Sequence, residues 1–246
     1  MGVVTVKKQV VVVAALSAIL SLTLAAPTFA AEKKPSNKQA PAKQSASKQS
    51  LAKSIPLVAG CKPTTAVGHA PLKLPIPAVN KPHVNKVFTL KTNCGDIVIE
   101  ADGVKAPLTV IALSYLAKNG YFDQSLCHRL VTSGIFVLQC GDPTASGQGG
   151  PKFYIPNENF PAQSANSYPA GTVAMAKGAD LPDGTPTNGS QFFIVYQDNS
   201  QLAANYTIFG RVTKGLEIVK AIATAGNSAD GVSPAQPVAI EKFEVK

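Results

Sequence analysis

Residues 122–143, FDQSLCHRLVTSGIFVLQCGDP, constrain the fold more than any other stretch. Two apolar runs, 126–131 and 135–140, flank the turn-like Thr132-Ser133-Gly134. Apolar runs bounded by turn residues read as adjacent antiparallel strands. Such a pair carries Arg129 and Gln139 toward one surface, with Phe136 and Val137 beside them. Arg129 is one of only two arginines in 246 residues. Its guanidinium stays charged and offers five donors in a rigid fork. The ordinary fate of an arginine is a surface ion pair, yet Asp123 and Asp142 are the nearest acids in sequence and neither lies within a run.

The same period extends along the chain. Val87, Thr89 and Lys91 alternate with Phe88, Leu90 and Thr92; after Cys94-Gly95-Asp96 come Ile97, Val98 and Ile99, which predicts strand, turn and strand. Further strands are predicted over 171–176, 191–196, 206–212 and a closing run through Val238, Ile240, Phe243 and Val245. Pro107 suits a first helical turn, Leu108, Ile111, Ala112, Tyr115 and Leu116 keep helical spacing, and Gly120 suits the stop. A second helix is predicted over 216–223. Eight clustered strands and two helices argue for a mainly β fold and against a doubly wound parallel sheet. Eight strands closing on themselves make a barrel whose centre side chains fill. A site would then lie on its wall.

The first quarter reads differently. Lys7 and Lys8 precede an apolar run over 10–26, and Thr28-Phe29-Ala30 supplies small residues for cleavage. Residues 1–30 are therefore expected to be a secretory signal; the alternative is an uncleaved membrane anchor, for which the apolar run is short against the roughly 20 residues a span needs. Residues 31–54 are built almost entirely of Ala, Lys, Ser, Gln and Pro, without an aromatic, and are read as a disordered tether. Up to residue 54, eight lysines against Glu32 leave only +2 of the chain's +9 for 55–246. The basic balance thus belongs mostly to signal and tether and is weak evidence for nucleic-acid binding; a solvated spacer is the favoured reading, with contact to an anionic wall or membrane surface of the cell envelope as the alternative. Residues 55–85 hold six prolines and are expected to run as an extended arm.

All four cysteines, Cys61, Cys94, Cys127 and Cys140, lie in the exported part, where an even count suggests two disulfides. Three pairings are possible. No CxxC occurs and only His69, His83 and His128 are available, so neither a metal nor a cofactor is expected. His128 with Ser133 or Ser190 invites a hydrolase reading, but alternation sends it to the face opposite Arg129. GDPTASGQGG (141–150) lacks the Gly-Lys-Ser/Thr ending of a nucleotide loop. A second dense block, TNGSQFFI (187–194), places Gln191 and Phe193 on one strand face.

Together these blocks resemble the cyclophilins, peptidyl-prolyl cis–trans isomerases. The matching pieces include His128-Arg129, Gln139-Cys140-Gly141-Asp142-Pro143, Gly147-Gln148-Gly149-Gly150, Glu158-Asn159-Phe160, residues 171–176 (GTVAMA), 187–193 (TNGSQFF) and Phe209-Gly210-Arg211-Val212, collinear over residues 86–246. The resemblance implies a closed eight-stranded antiparallel barrel capped by two helices. It implies that Arg129 is the catalytic residue and that Phe136, Val137, Phe193 and Leu202 line a proline pocket. Gln139 and Gln191 would orient the peptide, Ala176 and Lys177 would hold the residue before proline, and Tyr206 would stand in the wall. The implied partners are proline-containing polypeptides met during folding of exported proteins, with a monomer expected.

Several departures are visible. Gln201 stands where many cyclophilins have tryptophan, which weighs against tight cyclosporin-type binding. Val137 replaces a common methionine and Tyr206 a common histidine. Two extra residues separate Arg129 from Gln139, and a longer loop spans 179–186. Cys127 and Cys140 take usual Phe and Gly positions; in adjacent strands they are expected to bridge, leaving Cys61 with Cys94 to pin the arm. The competing class of function is a non-catalytic module that holds proline-containing segments.

Overall fold

The structure is a computed structural model that describes residues 58–185, 187–198 and 201–246. The segments expected as signal or anchor (1–30) and tether (31–54) lie outside the described residues. From residue 86 onward the chain makes ten strands and two helices: β1 (Lys86–Thr92), β2 (Gly95–Ala101), α1 (Pro107–Lys118), β3 (Ser125–Leu126), β4 (Arg129–Ser133), β5 (Ile135–Cys140), β6 (Ile155–Pro156), β7 (Thr172–Lys177), β8 (Thr187–Val195), β9 (Ile208–Lys214), α2 (Leu216–Ala225) and β10 (Ala239–Val245).

All pairings are antiparallel, as the short connections allow. The strands form one curled sheet in the order β3-β10-β1-β2-β9-β7-β8-β5-β4, with β6 added to β8. Eight strands are long, which agrees with the alternation. Closure is where the structure departs from expectation. The run expected over 126–131 breaks at Cys127-His128, and no ladder joins β3 to β4 among the described residues. The Cys127 N–H donates to the Val238 carbonyl (2.8 Å), which carries the β3–β10 register one residue further. Beyond it Pro237 and Pro234 have no N–H to offer, and the Leu130 N–H donates out of register to the Val232 carbonyl (2.8 Å).

The core is aromatic. Phe122 and Phe243 stand 4.9 Å apart between ring centroids, Phe88 and Phe243 5.2 Å, and Phe192 and Phe209 6.1 Å, mostly tilted or edge-on, the geometries that ring quadrupoles favour. Each helix lays an apolar side on this layer: Val110, Leu113 and Leu116 from α1, Val219 and Ile222 from α2. Helix α1 starts on Pro107 without a local side-chain cap; the Glu158 carboxylate reaches across to accept from the Thr109 N–H at 2.7 Å, satisfying an orphan donor at the positive helix end.

Two disulfides are present, Cys61–Cys94 and Cys127–Cys140. The first fastens the proline-rich arm to the β1–β2 turn, beside a reciprocal pair in which the Lys62 N–H donates to the Asn93 carbonyl and Asn93 Nδ2 to the Lys62 carbonyl, both at 2.7 Å. Residues 62–85 then carry neither helix nor strand. The second disulfide joins the residue two before Arg129 to the residue one after Gln139.

Candidate active site

The β4–β5 hairpin sets Arg129 directly opposite Gln139, and β5 sets Gln139 opposite Phe193 of β8. Because strand side chains alternate, Ile135, Val137 and Gln139 share a face with Arg129. That face floors a cavity of about 260 Å³ lined by Arg129, Ile135, Val137, Gln139, Ala176, Lys177, Phe193, Leu202 and Tyr206. Val137, Phe193 and Leu202 are buried. Tyr206 meets Phe193 edge-on at 5.4 Å and is held by Tyr168, whose hydroxyl donates to the Tyr206 carbonyl (3.1 Å) and accepts from its N–H (2.9 Å). Lys177 Nζ lies 5.9 Å from the Tyr206 ring centre.

The polar side of the cavity is a directed chain of donors. Arg129 Nη1 donates to Gln139 Oε1 (3.3 Å), and Gln139 Nε2 donates to Gln191 Oε1 (2.9 Å). Gln191 Nε2 then donates to the carbonyls of Gly147 (3.0 Å) and Gly149 (2.8 Å). Those two carbonyls can only accept, so they fix which way both amides point. No carboxylate lines the cavity, and Arg129 takes part in none of the three ion pairs among the described residues. The guanidinium is therefore half-buried, oriented by a neutral amide, and has donors left for a ligand.

Of the residues expected at the site, nine line this cavity or hold its polar wall: Arg129, Val137, Gln139, Ala176, Lys177, Gln191, Phe193, Leu202 and Tyr206. Gln191 stands behind the wall and also lines an adjoining polar cavity of about 470 Å³ with Ala176 and Lys177. Phe136 is a correction. It points to the opposite face of β5, packs edge-on against Tyr196 (6.0 Å) and lines a separate cavity near α2 with Lys220 and Thr224. Ile135 occupies the site face instead. The signal was available: counting back by twos from Gln139 reaches Val137 and Ile135, whereas Phe136 stands three residues before Gln139, an odd step that puts it on the other face of a regular strand.

His128 does not line the cavity; its ring lies beside Gly147. It is buried, and neither ring nitrogen has a protein hydrogen-bond partner. Burial lowers its pKa, against the raising field of Asp142 and with that of Arg129. Asp142 is fully buried. Burial would raise its carboxyl, but hydrogen bonds from Thr144 and from the Gly149 N–H hold it below its ordinary value.

Residues 87–245 match the family model described as cyclophilin-type peptidyl-prolyl cis-trans isomerase/CLD, and the chain belongs to that family. Among curated relatives it is 38% identical over 188 residues to a probable peptidyl-prolyl cis-trans isomerase B of Mycobacterium leprae, an alignment covering 68% of this chain and 62% of the relative. It is 41% identical over 155 residues to the protein of that name from Mycobacterium tuberculosis, covering 58% and 48%. The chain thus spans about half to three fifths of the length of these relatives. In structure it is similar to a cyclophilin-type peptidyl-prolyl cis-trans isomerase of Cryptosporidium parvum, with a TM-score of 0.56, 26% identity, and coverage of 66% of this chain and 98% of the other. The same parasite enzyme in the presence of the dipeptide Ala-Pro matches with a TM-score of 0.54 and 26% identity, covering 65% and 98%.

Proposed function

We propose that this protein accelerates cis–trans isomerisation of Xaa-Pro bonds, with Arg129 as the catalytic donor. The observation that carries the reading is the pairing of a neutrally held guanidinium with apolar walls in a cavity without carboxylates. Amide resonance sets a rotation barrier of about 18–20 kcal/mol. Cis and trans Xaa-Pro differ by only about 0.5–1 kcal/mol, so lowering the barrier is the entire task. As the bond twists, resonance is lost and the prolyl nitrogen becomes a hydrogen-bond acceptor. A fixed Arg129 N–H aimed at that nitrogen binds the twisted state better than either planar isomer, which is the requirement for catalysis. Val137, Phe193 and Leu202 hold the ring and exclude the water that would compete for the donor. Ala176, Lys177, Gln139 and Gln191 border the space where the residues before proline would lie.

The substrates are proline-containing polypeptides. A structurally similar enzyme was crystallised in the presence of Ala-Pro, and the cavity here offers apolar walls on which a prolyl ring would pack. We further propose that the clients are exported proteins. The reading rests on the basic, apolar and small order of residues 1–30 and on two disulfides, which persist in oxidising compartments. An uncleaved segment would make the same enzyme membrane-anchored. Gln201 in place of tryptophan predicts weak cyclosporin-type binding.

The test is isomerisation of a short Xaa-Pro peptide by the purified chain and by Arg129→Ala. Catalysis that is lost in the variant supports the reading. Equal rates for the two proteins refute the mechanism, and a wild-type rate no better than uncatalysed favours a proline-binding module.

A further inference from the structure

The donor chain behind Arg129 ends on the 142–149 loop, and that loop is held from two sides. From within, Asp142 Oδ1 accepts from the Thr144 N–H (2.8 Å) and hydroxyl (2.7 Å), while Oδ2 accepts from the Gly149 N–H (3.0 Å). These bonds place the Gly147 and Gly149 carbonyls that fix Gln191. From outside, the loop is met by the proline-rich arm, which lies beyond the family match at 87–245. The His69 N–H donates to the Pro143 carbonyl at 2.8 Å. Gly68 lies so close that a Cβ there would stand 2.2 Å from the Thr144 carbonyl oxygen. The arm reaches this position because Cys61–Cys94 and the Lys62–Asn93 pair anchor it a few residues earlier.

We propose that residues 62–70 of the arm are a positioning element of the active site. The path runs from Gly68-His69 to Pro143-Thr144, through the Asp142-braced loop to Gln191, Gln139 and Arg129. Every link is a main-chain contact or a hydrogen bond, and a shift of the loop carbonyls releases the amide orientation on which the guanidinium depends. No described residue of the arm lines the cavity, so its effect reaches a bound peptide only through the two glutamine amides. The proposal rests on the reading of Arg129 as the catalytic donor.

Two glycines give a matched test in the full chain. In Gly68→Ala the new methyl meets the Thr144 carbonyl at 2.2 Å and forces arm and loop apart. In Gly103→Ala the methyl meets the Val84 carbonyl at 2.0 Å, an equal clash on the same arm at its far contact. Gly68→Ala is expected to lower kcat roughly tenfold, the scale of a sub-ångström misplacement, with the side-chain amide NMR signals of Gln139 and Gln191 shifted. Gly103→Ala is expected to keep both kcat and those signals. Asp142→Asn, which loosens the loop from its other side, is expected to move the same two signals. Unchanged kcat and unmoved glutamine signals in folded Gly68→Ala would overturn the proposal, as would equal losses in the two glycine variants. If the wild-type chain proves not to isomerise the peptide, the glutamine signals still decide the arm's part, and the peptide assay separately rejects the reading of the site.

Discussion

Replacing Cys127 and Cys140 together by alanine is expected to cost about 3 kcal/mol of stability. The bridge spans a sequence separation of 13, and closing a loop of that length removes about that much free energy from the unfolded chain's advantage. For a folded part of this size each kcal/mol moves Tm by about 2–4 °C, so the drop is about 6–12 °C. Cys61–Cys94, with a separation of 33, is worth about 4 kcal/mol by the same relation. The two loops do not overlap in sequence, so removing both bridges should cost about 7 kcal/mol, near the sum of the parts. The assay is thermal unfolding of the oxidised wild type and the two double-alanine variants, after a thiol titration establishes that the wild type holds no free cysteine. Below the melting range the Cys127/Cys140 variant should keep its activity, because the five-pair β4–β5 ladder still sets Arg129 against Gln139. A drop under about 2 °C, well short of the range above, would refute the argument that this bridge restricts the unfolded chain.

Further outcomes follow from the site and its support. His128, whose folded pKa is depressed chiefly by burial beside Asp142 and Arg129, contributes stability that is complete above its unfolded value of about 6.5 and is lost as pH falls through the lower folded value; urea midpoints should therefore decline with acidification in the wild type and decline less in His128→Phe. Phe193→Ala removes a buried ring, which should cost about 3–5 kcal/mol and raise KM for proline peptides; a folded variant with unchanged KM would remove Phe193 from the substrate wall. Ile135→Ser should raise KM while Phe136→Ser leaves it in place, since only Ile135 faces the cavity; the reverse result would restore the phenylalanine to the site.

Much of the site was legible because it is built on strand alternation. Arg129 and Gln139 face each other through a hairpin whose turn, Thr132-Ser133-Gly134, stands plainly in the sequence, and Gln191 and Phe193 follow by the same period on β8. The disulfide pairing followed from the resemblance, which placed Cys127 and Cys140 in adjacent strands; cysteine spacing alone left three pairings. Phe136 was misplaced because the resemblance, not the alternation, put it in the pocket; three residues before Gln139 it falls on the other face of β5. The open seam between β3 and β4 was not legible, since it depends on where Pro234 and Pro237 fall opposite the 126–131 run and on the Val232 carbonyl taking the Leu130 N–H. Main-chain bonds of that kind leave no side-chain pattern. The same holds for the arm: nothing about Gly68 or His69 in sequence announces a contact with Pro143 and Thr144.

The central claim is that Arg129 lowers the rotation barrier of a bound Xaa-Pro bond rather than merely holding the peptide. The most direct measurement is NMR exchange between the cis and trans forms of a peptide at saturation, together with its Kd, for wild type and Arg129→Ala. The account predicts similar Kd for both proteins, fast exchange in the wild-type complex, and exchange near the free-peptide rate in the variant. Fast exchange in both complexes would contradict it.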